Sequence, residues 1–432
     1  MSYDRQGLGL GMVSIDERRR LSERLHAFTR VFDPPLGGGT GPSFAIKDLI
    51  DVAGVPTGGG GVVPLDPTPT RHAMVVQRLL DAGYVAVGKT HTVELAFGGW
   101  GTNRAVGAPW NPWDAATHRA PGGSSSGSAA AVASGLCDVA LGTDTGGSIR
   151  IPAAACGVVG LKPGRGLVST LGVHDLAPSL DTVGPLARSV ADAARVLEII
   201  SGPDGAGAVR QPFDAQAALG ADVAGWRVAA LPMEAMPTID PDIAEHYHAA
   251  LARLAELGVK VETARTPRPF ADYFIPNGWL MAAEGWRVRG AHVRANGELM
   301  DRWVVKRFEG GRDVTEAELA QALARRQADQ REFQDWMAPY AALLSPTAPI
   351  PAPPIDSIDE TASPFSAMTR AGNYLDLPAA SLPMGLTREG LPAGLQIMGR
   401  MADEASVVAL AAAFEAVSGW NGRRPDLSGF GA

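Results

Sequence analysis

Residues 121–152 read PGGSSSGSAAAVASGLCDVALGTDTGGSIRIP, with a segment rich in glycine and serine or threonine at each end. The small residues from Ser128 to Ser134 lie between the two segments, and we predict that they form a helix that ends at Gly135. Two glycines directly before Ser148 would let several backbone N–H groups converge on one point, which is the geometry needed to hold an oxyanion. Taken together, the two segments favour a reactive site over two ordinary turns.

The chain around this stretch alternates between strand-like and helix-like segments. Alternation of this kind favours an α/β fold, which we expect to be a single large mixed sheet with helices on both faces. Residues 203–340 are richer in helical patterns and lack the glycine clusters. We therefore expect one domain over residues 1–432, with a core at 41–202, a variable helical region at 203–340 and a return to the core at 343–418.

Local patterns predict several individual elements. Residues 15–31 read as one short surface helix, and the cluster PPLGGG at 34–39 reads as a linker or turn. Ser189 and Thr315 are each followed three residues later by an acidic residue, which predicts a helix start at both positions. Residues 343–354 are rich in proline and read as a crossing segment.

Composition and charge exclude several classes of protein. The chain has 432 residues, of which 46% are apolar and 19% charged, so its composition is typical of a globular protein and not of a disordered one. The 38 basic and 46 acidic residues give a formal charge of −8, which provides no general attraction for nucleic acid or anionic membranes. Two cysteines exclude a disulfide scaffold. Without a targeting segment or a membrane-length apolar run, the expectation is a cytoplasmic protein.

Two known motifs occur, but neither has the structural context that its chemistry requires. Residues 83–90, GYVAVGKT, match the phosphate-binding pattern GxxxxGK[ST], but the four central residues read as a strand and the helix precedes them. Residues 123–127, GSSSG, match the nucleophile elbow GxSxG, but no apolar strand comes before them. A nucleotide-binding protein is therefore a disfavoured third interpretation of the chain.

Several segments together resemble the amidase signature enzymes. They read FAIKD at 44–48, GGSSSGS at 122–128, GTDTGGSIRIP at 142–152, CGVVGLKP at 156–163, DTVGP at 181–185 and GLPAGLQI at 390–397. The resemblance covers residues 41–202 and 343–418, whereas no motif of the family is identified in residues 203–340. It implies the amidase signature fold and no metal or organic cofactor.

The resemblance also implies a role for each site residue. Ser148 would be the nucleophile that forms an acyl-enzyme, Ser124 would bridge Ser148 and Lys47, and Lys47 would be the base. In this family the peptide bond between Ser124 and the preceding glycine is cis. The oxyanion hole would be formed by the backbone N–H groups of Thr145, Gly146, Gly147 and Ser148.

The chemistry of this set is coherent because burial can make a lysine basic enough to act. A serine hydroxyl is a weak nucleophile until a base takes its proton. A lysine can be that base only when it is neutral, and desolvation favours the neutral amine. The apolar residues on either side of Lys47 predict a buried strand end. The chain has five lysines, and arginine does not give up its proton under ordinary conditions, so few residues could serve.

These observations predict an amidohydrolase that cleaves the C–N bond of a small carboxylic amide through a Ser148 acyl-enzyme. Two alternatives use the same three side chains: the amidase subunit of a tRNA-dependent amidotransferase, and a hydrolase of carbamates or esters. The acidic charge and the sequence HTVELAFGG at 91–99, which departs from the Met-Asp-Glu-Phe pattern of such subunits, favour a hydrolase that acts alone. We thus expect a small-molecule amide substrate and neither a nucleic-acid nor a membrane partner. The resemblance implies a homodimer, although the sequence itself does not define the oligomeric state.

The substrate pocket is less well defined by sequence. Six aromatic residues between 270 and 303 could form either a pocket wall or part of the core. Residues 91–100 could form a second wall by analogy with the family. Arg150 could orient an anionic substrate group, or it could form a structural ion pair with Asp144.

Overall fold

Strands from nearly every part of the chain join one sheet. A computed structural model describes residues 13–65, 67–420 and 423–431. The strands are β1 (Phe28–Leu36), β2 (Ser43–Lys47), β3 (Val85–Thr90), β4 (Val139–Asp144), β5 (Val159–Lys162), β6 (Thr182–Ala187), β7 (Arg227–Ala230), β8 (Lys260–Thr263), β9 (Ala342–Pro346), β10 (Ala379–Leu386) and β11 (Pro392–Gly399). Within the described residues, these eleven strands lie side by side in the order β1-β3-β2-β4-β6-β5-β10-β11-β9-β7-β8.

The sheet is mixed. Strand β2 runs parallel to β3 and β4, and β7 runs parallel to β8 and β9. The other neighbouring pairs are antiparallel. This arrangement confirms the predicted fold class, a single large mixed sheet.

Helices connect the strands. They are α1 (Ile15–Leu25), α2 (Met74–Asp81), α3 (Ser126–Ala133), α4 (Arg150–Cys156), α5 (Val190–Ile200), α6 (Ala215–Leu219), α7 (Pro241–Glu256), α8 (Ala271–Asn296), α9 (Arg302–Glu309), α10 (Glu316–Met337), α11 (Arg370–Tyr374) and α12 (Glu404–Ser418). The predicted helix starts at Ser189 and Thr315 are confirmed, since each side chain accepts a hydrogen bond from the N–H three residues later. At Thr315 the reciprocal bond from Glu318 completes a capping box.

Both faces of the sheet are covered by helices. Phe44 and Ile46 of β2 pack in an apolar cluster with residues of α2, α5, α7 and α12, whereas Ala45 packs in a second cluster with α1 and α3. Val228 of β7 belongs to the first cluster and Ala229 to a third, with α8 and α10. Because successive strand side chains point to opposite faces, these clusters lie on opposite sides of the sheet.

The N-terminal part differs from the prediction. Helix α1 ends at Leu25, and His26 follows with a left-handed φ of 51°, so the predicted single helix over 15–31 is wrong. The chain then enters β1, whose last residues include the prolines predicted to lie in a turn. Proline is tolerated there because β1 is an edge strand, where some N–H groups need no partner.

The middle of the chain is built into the same sheet. Residues 203–340 are mainly helical, as predicted, but they also contribute β7 and β8. The segment predicted as a proline-rich crossing begins with β9, which lies between β11 and β7. That prediction failed because the buried residues ALLSP pair with strands that are distant in sequence.

Among the residues that the structure describes, no helix combines the length and the apolar character needed to cross a bilayer.

Candidate active site

The three predicted reactive side chains come from different loops and strand ends. Lys47 is the last residue of β2, and Ser148 lies in the loop between β4 and α4. Since β2 and β4 are parallel neighbours, their carboxyl ends lie at the same edge of the sheet. Ser124 lies in the loop directly before α3.

Lys47 is fully buried and contacts one of the two predicted serines. Its Nζ donates hydrogen bonds of 2.7 Å to Ser124 Oγ and of 2.7 Å to Thr143 Oγ1. Burial lowers the pKa of Lys47 to about 7, although the negative charges of Asp144 and Asp181 partly oppose this shift. An amine with this pKa is neutral in a large fraction of molecules near neutral pH, so it can accept a proton.

The backbone around Ser124 is tied to the loop that carries Ser148. The Gly123–Ser124 peptide bond is cis, as the resemblance implies. The carbonyl oxygen of Ser124 accepts hydrogen bonds from Thr92 Oγ1 at 2.9 Å and from the N–H of Val93 at 3.1 Å. The next N–H, that of Ser125, donates to the carbonyl oxygen of Ser148 at 3.1 Å. These contacts bring the 124 and 148 segments side by side.

Asp144, at the end of β4, organises the loop that follows it. Its Oδ1 accepts the N–H of Gly147 at 2.7 Å, and its Oδ2 accepts the N–H of Ile149 at 3.0 Å. Burial opposes ionisation, yet the Arg150 guanidinium holds the pKa of Asp144 below its ordinary range. Of the four N–H groups predicted to bind an oxyanion, that of Gly147 is therefore already engaged, which leaves those of Thr145, Gly146 and Ser148 as candidates.

Arg150 is a structural residue. Arg150 and Asp144 form an ion pair of 3.0 Å in which both side chains are fully buried. The other donors of Arg150 bond to Thr369 O at 2.8 Å, Gln396 Oε1 at 2.7 Å and Asn373 Oδ1 at 2.6 Å. Of the two interpretations of Arg150, the structural ion pair is thus the one that the geometry supports.

A second buried carboxyl group, that of Asp181, contacts the first residue of the loop between β4 and α4. Asp181 accepts a hydrogen bond from Thr145 Oγ1 at 2.5 Å, and its other oxygen accepts the N–H groups of Leu176 and Ala177 at 2.9 Å each. Burial raises the pKa of Asp181 to about 7. The charge on Asp181 therefore changes in the same pH range as that on Lys47.

Ser148 borders a small cavity that also contains two guanidinium groups. The cavity has a volume of about 30 Å³, and its walls include Ser148, Gly146, Met281, Arg307 and Arg370. Arg307 is paired with Glu360 at 2.6 Å.

Arg370 differs from Arg307, because no described residue forms a hydrogen bond or ion pair with its side chain. Its guanidinium lies over the ring of Phe274, whose centroid is 4.1 Å from the guanidinium carbon. Burial lowers the pKa of Arg370 to about 10, and the neighbouring charge of Arg307 acts in the same direction. The group is still a cation at neutral pH, so it is available to an anionic ligand.

A larger cavity of about 770 Å³ lies next to the small one, and Ser363 lines both. Of the six aromatic residues in 270–303, Phe270 and Phe274 line this larger cavity, whereas Tyr273 packs in the core. Phe97 and the glycines after it line the small cavity, so part of the 91–100 segment does form a wall.

Neither disfavoured motif forms the structure that its pattern requires. Residues 123–127 contain Ser124 and the start of α3, and among the described residues no strand of the sheet directly precedes them. Residues 85–90 of the GxxxxGKT match form β3, and Lys89 is buried in a 2.9 Å ion pair with Asp48. No phosphate loop is formed there. Cys137 and Cys156 are buried, and burial raises the pKa of the Cys137 thiol to about 12, which makes it unreactive.

Comparison with known proteins relates this site to one family. The amidase family model matches residues 29–408. A glutamyl-tRNA(Gln) amidotransferase subunit of Symbiobacterium thermophilum is 36% identical over 455 aligned positions, covering 96% of this chain and 91% of that protein. The crystal structure of the corresponding glutamyl-tRNA(Gln) amidotransferase subunit from Thermotoga maritima has a TM-score of 0.83 at 31% identity, covering 98% of this chain and 99% of that one. The native peptide amidase from Stenotrophomonas maltophilia has a TM-score of 0.76 at 30% identity, covering 89% of this chain and 83% of that one.

These relatives overturn two expectations. The predicted hydrolase that acts alone on a small carboxylic amide is wrong, because several relatives at 33–37% identity are subunits of a glutamyl-tRNA(Gln) amidotransferase. The expected absence of a nucleic-acid partner is wrong for the same reason, since the name of that enzyme includes a tRNA. The prediction relied on net charge, which does not separate an amidase that acts alone from an amidase-family subunit of a larger enzyme.

Proposed function

The chain belongs to the amidase family, and on this premise we propose that it is the amide-cleaving subunit of a tRNA-dependent amidotransferase. The observation that carries the proposal is the 36% identity to one glutamyl-tRNA(Gln) amidotransferase subunit over 96% of the chain. In the proposed enzyme, this chain releases ammonia from a donor amide, and the ammonia is used to amidate the glutamyl group on the tRNA.

The proposed reaction begins with proton transfer away from Ser148. Neutral Lys47 takes a proton from Ser124, and Ser124 takes the proton of Ser148 as its Oγ attacks the amide carbonyl. The 2.7 Å contact between Lys47 and Ser124 supports the first of these transfers. The carbonyl oxygen becomes an oxyanion, and the N–H groups of Thr145, Gly146 and Ser148 are the proposed donors to it.

Collapse of this intermediate completes the first half of the reaction. The C–N bond breaks, and the proton returns from Lys47 through Ser124 to the leaving nitrogen, which departs as ammonia. Water then attacks the acyl-enzyme by the same relay and releases a carboxylic acid and Ser148. The whole reaction consumes only the amide and one water molecule.

The position of Arg370 favours a donor amide that carries a carboxylate. The Arg370 guanidinium lines the cavity of Ser148 and has no hydrogen-bond or ion-pair partner among the described residues, so it is a ready site for a carboxylate. Glutamine has a side-chain amide and an α-carboxylate, so it meets both requirements. We therefore propose glutamine as the donor.

The test is amidation of tRNA by the protein in its complex. The tagged chain is isolated from its own cells with the proteins that accompany it, and conversion of glutamyl-tRNA to glutaminyl-tRNA is measured with and without glutamine. We expect glutamine-dependent conversion that is lost in S148A. The proposal is overturned if the preparation does not convert glutamyl-tRNA and the purified chain cleaves simple amides as fast as the preparation does.

A further inference from the structure

Three consecutive backbone carbonyls before Ser148 are each held by a side chain from a distant part of the chain. The carbonyl oxygen of Asp144 accepts a hydrogen bond from Asn373 Nδ2 at 3.0 Å. That of Thr145 accepts Asn277 Nδ2 at 3.3 Å, and that of Gly146 accepts Thr369 Oγ1 at 2.8 Å. No motif of the sequence indicated any of these three donors.

Holding a carbonyl also orients the N–H of the next residue. In a trans peptide unit the C=O and N–H bonds are coplanar and point in opposite directions. Asn373 therefore sets the direction of the Thr145 N–H together with Thr182, whose Oγ1 donates to the same carbonyl oxygen at 3.1 Å. Asn277 sets the direction of the Gly146 N–H. Thr369 sets the direction of the Gly147 N–H. This N–H donates to Asp144 Oδ1, so the last peptide unit of residues 144–147 is also fixed.

The three donors are shielded from water. Asn277 and Thr369 have no exposed surface, and Asn373 is 2% exposed. Hydrogen bonds in such surroundings are stronger and more rigid than those at a surface. The peptide units from 144 to 147 are thus fixed before a substrate binds.

Glycine is required at Gly147 and leaves room at Gly146, where two of these donors approach the backbone. A methyl group on Gly147, whose φ is +125°, would lie 2.1 Å from Thr369 Oγ1. A methyl group on Gly146 would lie 3.1 Å from Asn277 Oδ1 and 3.2 Å from Met281 Sδ. The two glycines therefore let Asn277 and Thr369 come close to the backbone of the loop.

We propose that Asn277, Asn373 and Thr369, here called the anchors, are positioning residues for the oxyanion formed on attack by Ser148. Asn373 and Asn277 aim the N–H groups of Thr145 and Gly146 at it, and Thr369 fixes the adjoining peptide unit between Gly146 and Gly147. This inference rests on the proposed role of Ser148. Donors that are already oriented stabilise the transition state without reorganising during the reaction. Loss of an anchor should therefore slow the chemical step and leave substrate binding nearly unchanged.

The first test removes the amide of Asn277. N277L keeps the number and branching of side-chain heavy atoms but cannot donate to Thr145. N296L makes the same change at the other end of α8, where the Asn296 amide bonds only within its own helix. The readouts are kcat and KM for glutamine hydrolysis, and the rate at which a fluorophosphonate probe labels Ser148. The probe exchanges its P–F bond for a P–Oγ bond, with loss of fluoride and the serine proton, and its P=O oxygen needs the same donors.

We expect N277L to lower kcat and the labelling rate by roughly 10- to 100-fold, somewhat less than the loss of a whole oxyanion donor. KM should stay within about twofold, and N296L should behave as the wild type. A labelling rate equal to that of the wild type, or a loss confined to KM, would overturn the inference.

A second pair of variants covers the case in which N277L does not fold. T369V removes the hydroxyl that holds Gly146, whereas T369S keeps it. We expect T369V to lose labelling rate and kcat together and T369S to recover most of both, which a loss of packing alone would not produce. Equal rates in T369V and T369S would contradict the proposal.

Labelling also separates this inference from the proposed function. If the wild type is labelled at Ser148 but its complex does not amidate glutamyl-tRNA, the proposed function fails and the variants still decide the role of the anchors. If the wild type is not labelled at Ser148, the nucleophile is misassigned and the positioning inference fails with it.

Discussion

The guanidinium of Arg370 lies over the ring of Phe274, with 4.1 Å from the guanidinium carbon to the ring centroid. Phe274 lines the larger cavity and Arg370 lines the smaller one that contains Ser148. Among the residues described, no carboxylate pairs with Arg370, and an aromatic ring cannot neutralise a cation as a carboxylate does. The positive charge therefore stays available on the side of Ser148.

Replacing Arg370 should weaken the binding of amide substrates that carry a carboxylate and leave that of uncharged amides nearly unchanged. In R370M we expect KM for glutamine to rise roughly 10- to 100-fold, because a charge-assisted hydrogen bond contributes about 1.5–3 kcal/mol. Butyramide lacks a carboxylate, so its kcat/KM should change little and it serves as the control. Steady-state kinetics on both amides measure this, and an equal loss for the two would argue against a carboxylate at Arg370.

The activity should rise with pH through the titration of Lys47. The side chain must be neutral to accept a proton, and its pKa is about 7, so the active fraction increases as the pH rises. We expect kcat/KM for glutamine hydrolysis to increase about tenfold between about pH 6 and about pH 8. K47R should be inactive throughout, since arginine does not release its proton in this range. A flat profile, or an active K47R, would exclude Lys47 as the base.

Asp181 should shift that profile. Its negative charge raises the pKa of Lys47, so D181N should lower the pKa of Lys47 and move the rising limb to lower pH. The Asn side chain can still accept the Thr145 hydroxyl, which keeps one contact of the loop. The pH dependence of kcat/KM measures the shift, with D313N at an exposed position as the control. If the rise of kcat/KM with pH moves to higher pH in D181N, the charge of Asp181 does not raise the pKa of Lys47.

The buried ion pair should matter for stability far more than an exposed one. R150M leaves the Asp144 carboxylate buried without its partner, and we expect a loss of about 3–5 kcal/mol in the free energy of unfolding. R265M breaks the exposed pair with Glu234 and should cost about 0–1 kcal/mol. Urea denaturation at neutral pH compares the two. Similar losses would mean that the buried pair is not needed to hold the Asp144 loop.

The sequence was most informative where glycines and small residues leave few conformations open. Local composition pointed to the glycine-rich segments around Ser124 and Ser148, and the resemblance to the amidase signature enzymes supplied the roles proposed for Ser124, Ser148 and Lys47. The fold class followed from the alternation of strands and helices. The prolines of β1 were misread because an edge strand tolerates proline, and a local pattern does not identify an edge.

The anchors could not be predicted from local patterns. Asn277 lies in a helix whose residues resemble ordinary core, and Thr369 and Arg370 lie in a short segment without a motif. Their importance comes from contacts across 132 residues for Asn277 and 223 residues for Thr369. The one available signal was polar side chains, such as Asn277, within an aromatic and apolar stretch. Net charge also could not separate an amidase that acts alone from an amidase-family subunit of a larger enzyme.

The distant origin of Asn277, Thr369 and Asn373 has a consequence during synthesis on the ribosome. A nascent chain that has just passed Ser148 already contains the proposed nucleophile, bridging serine and base. It still lacks the donors that orient the loop and Gln396, which bonds to Arg150. We therefore expect the loop that carries Ser148 to reach its final geometry only when translation is nearly complete.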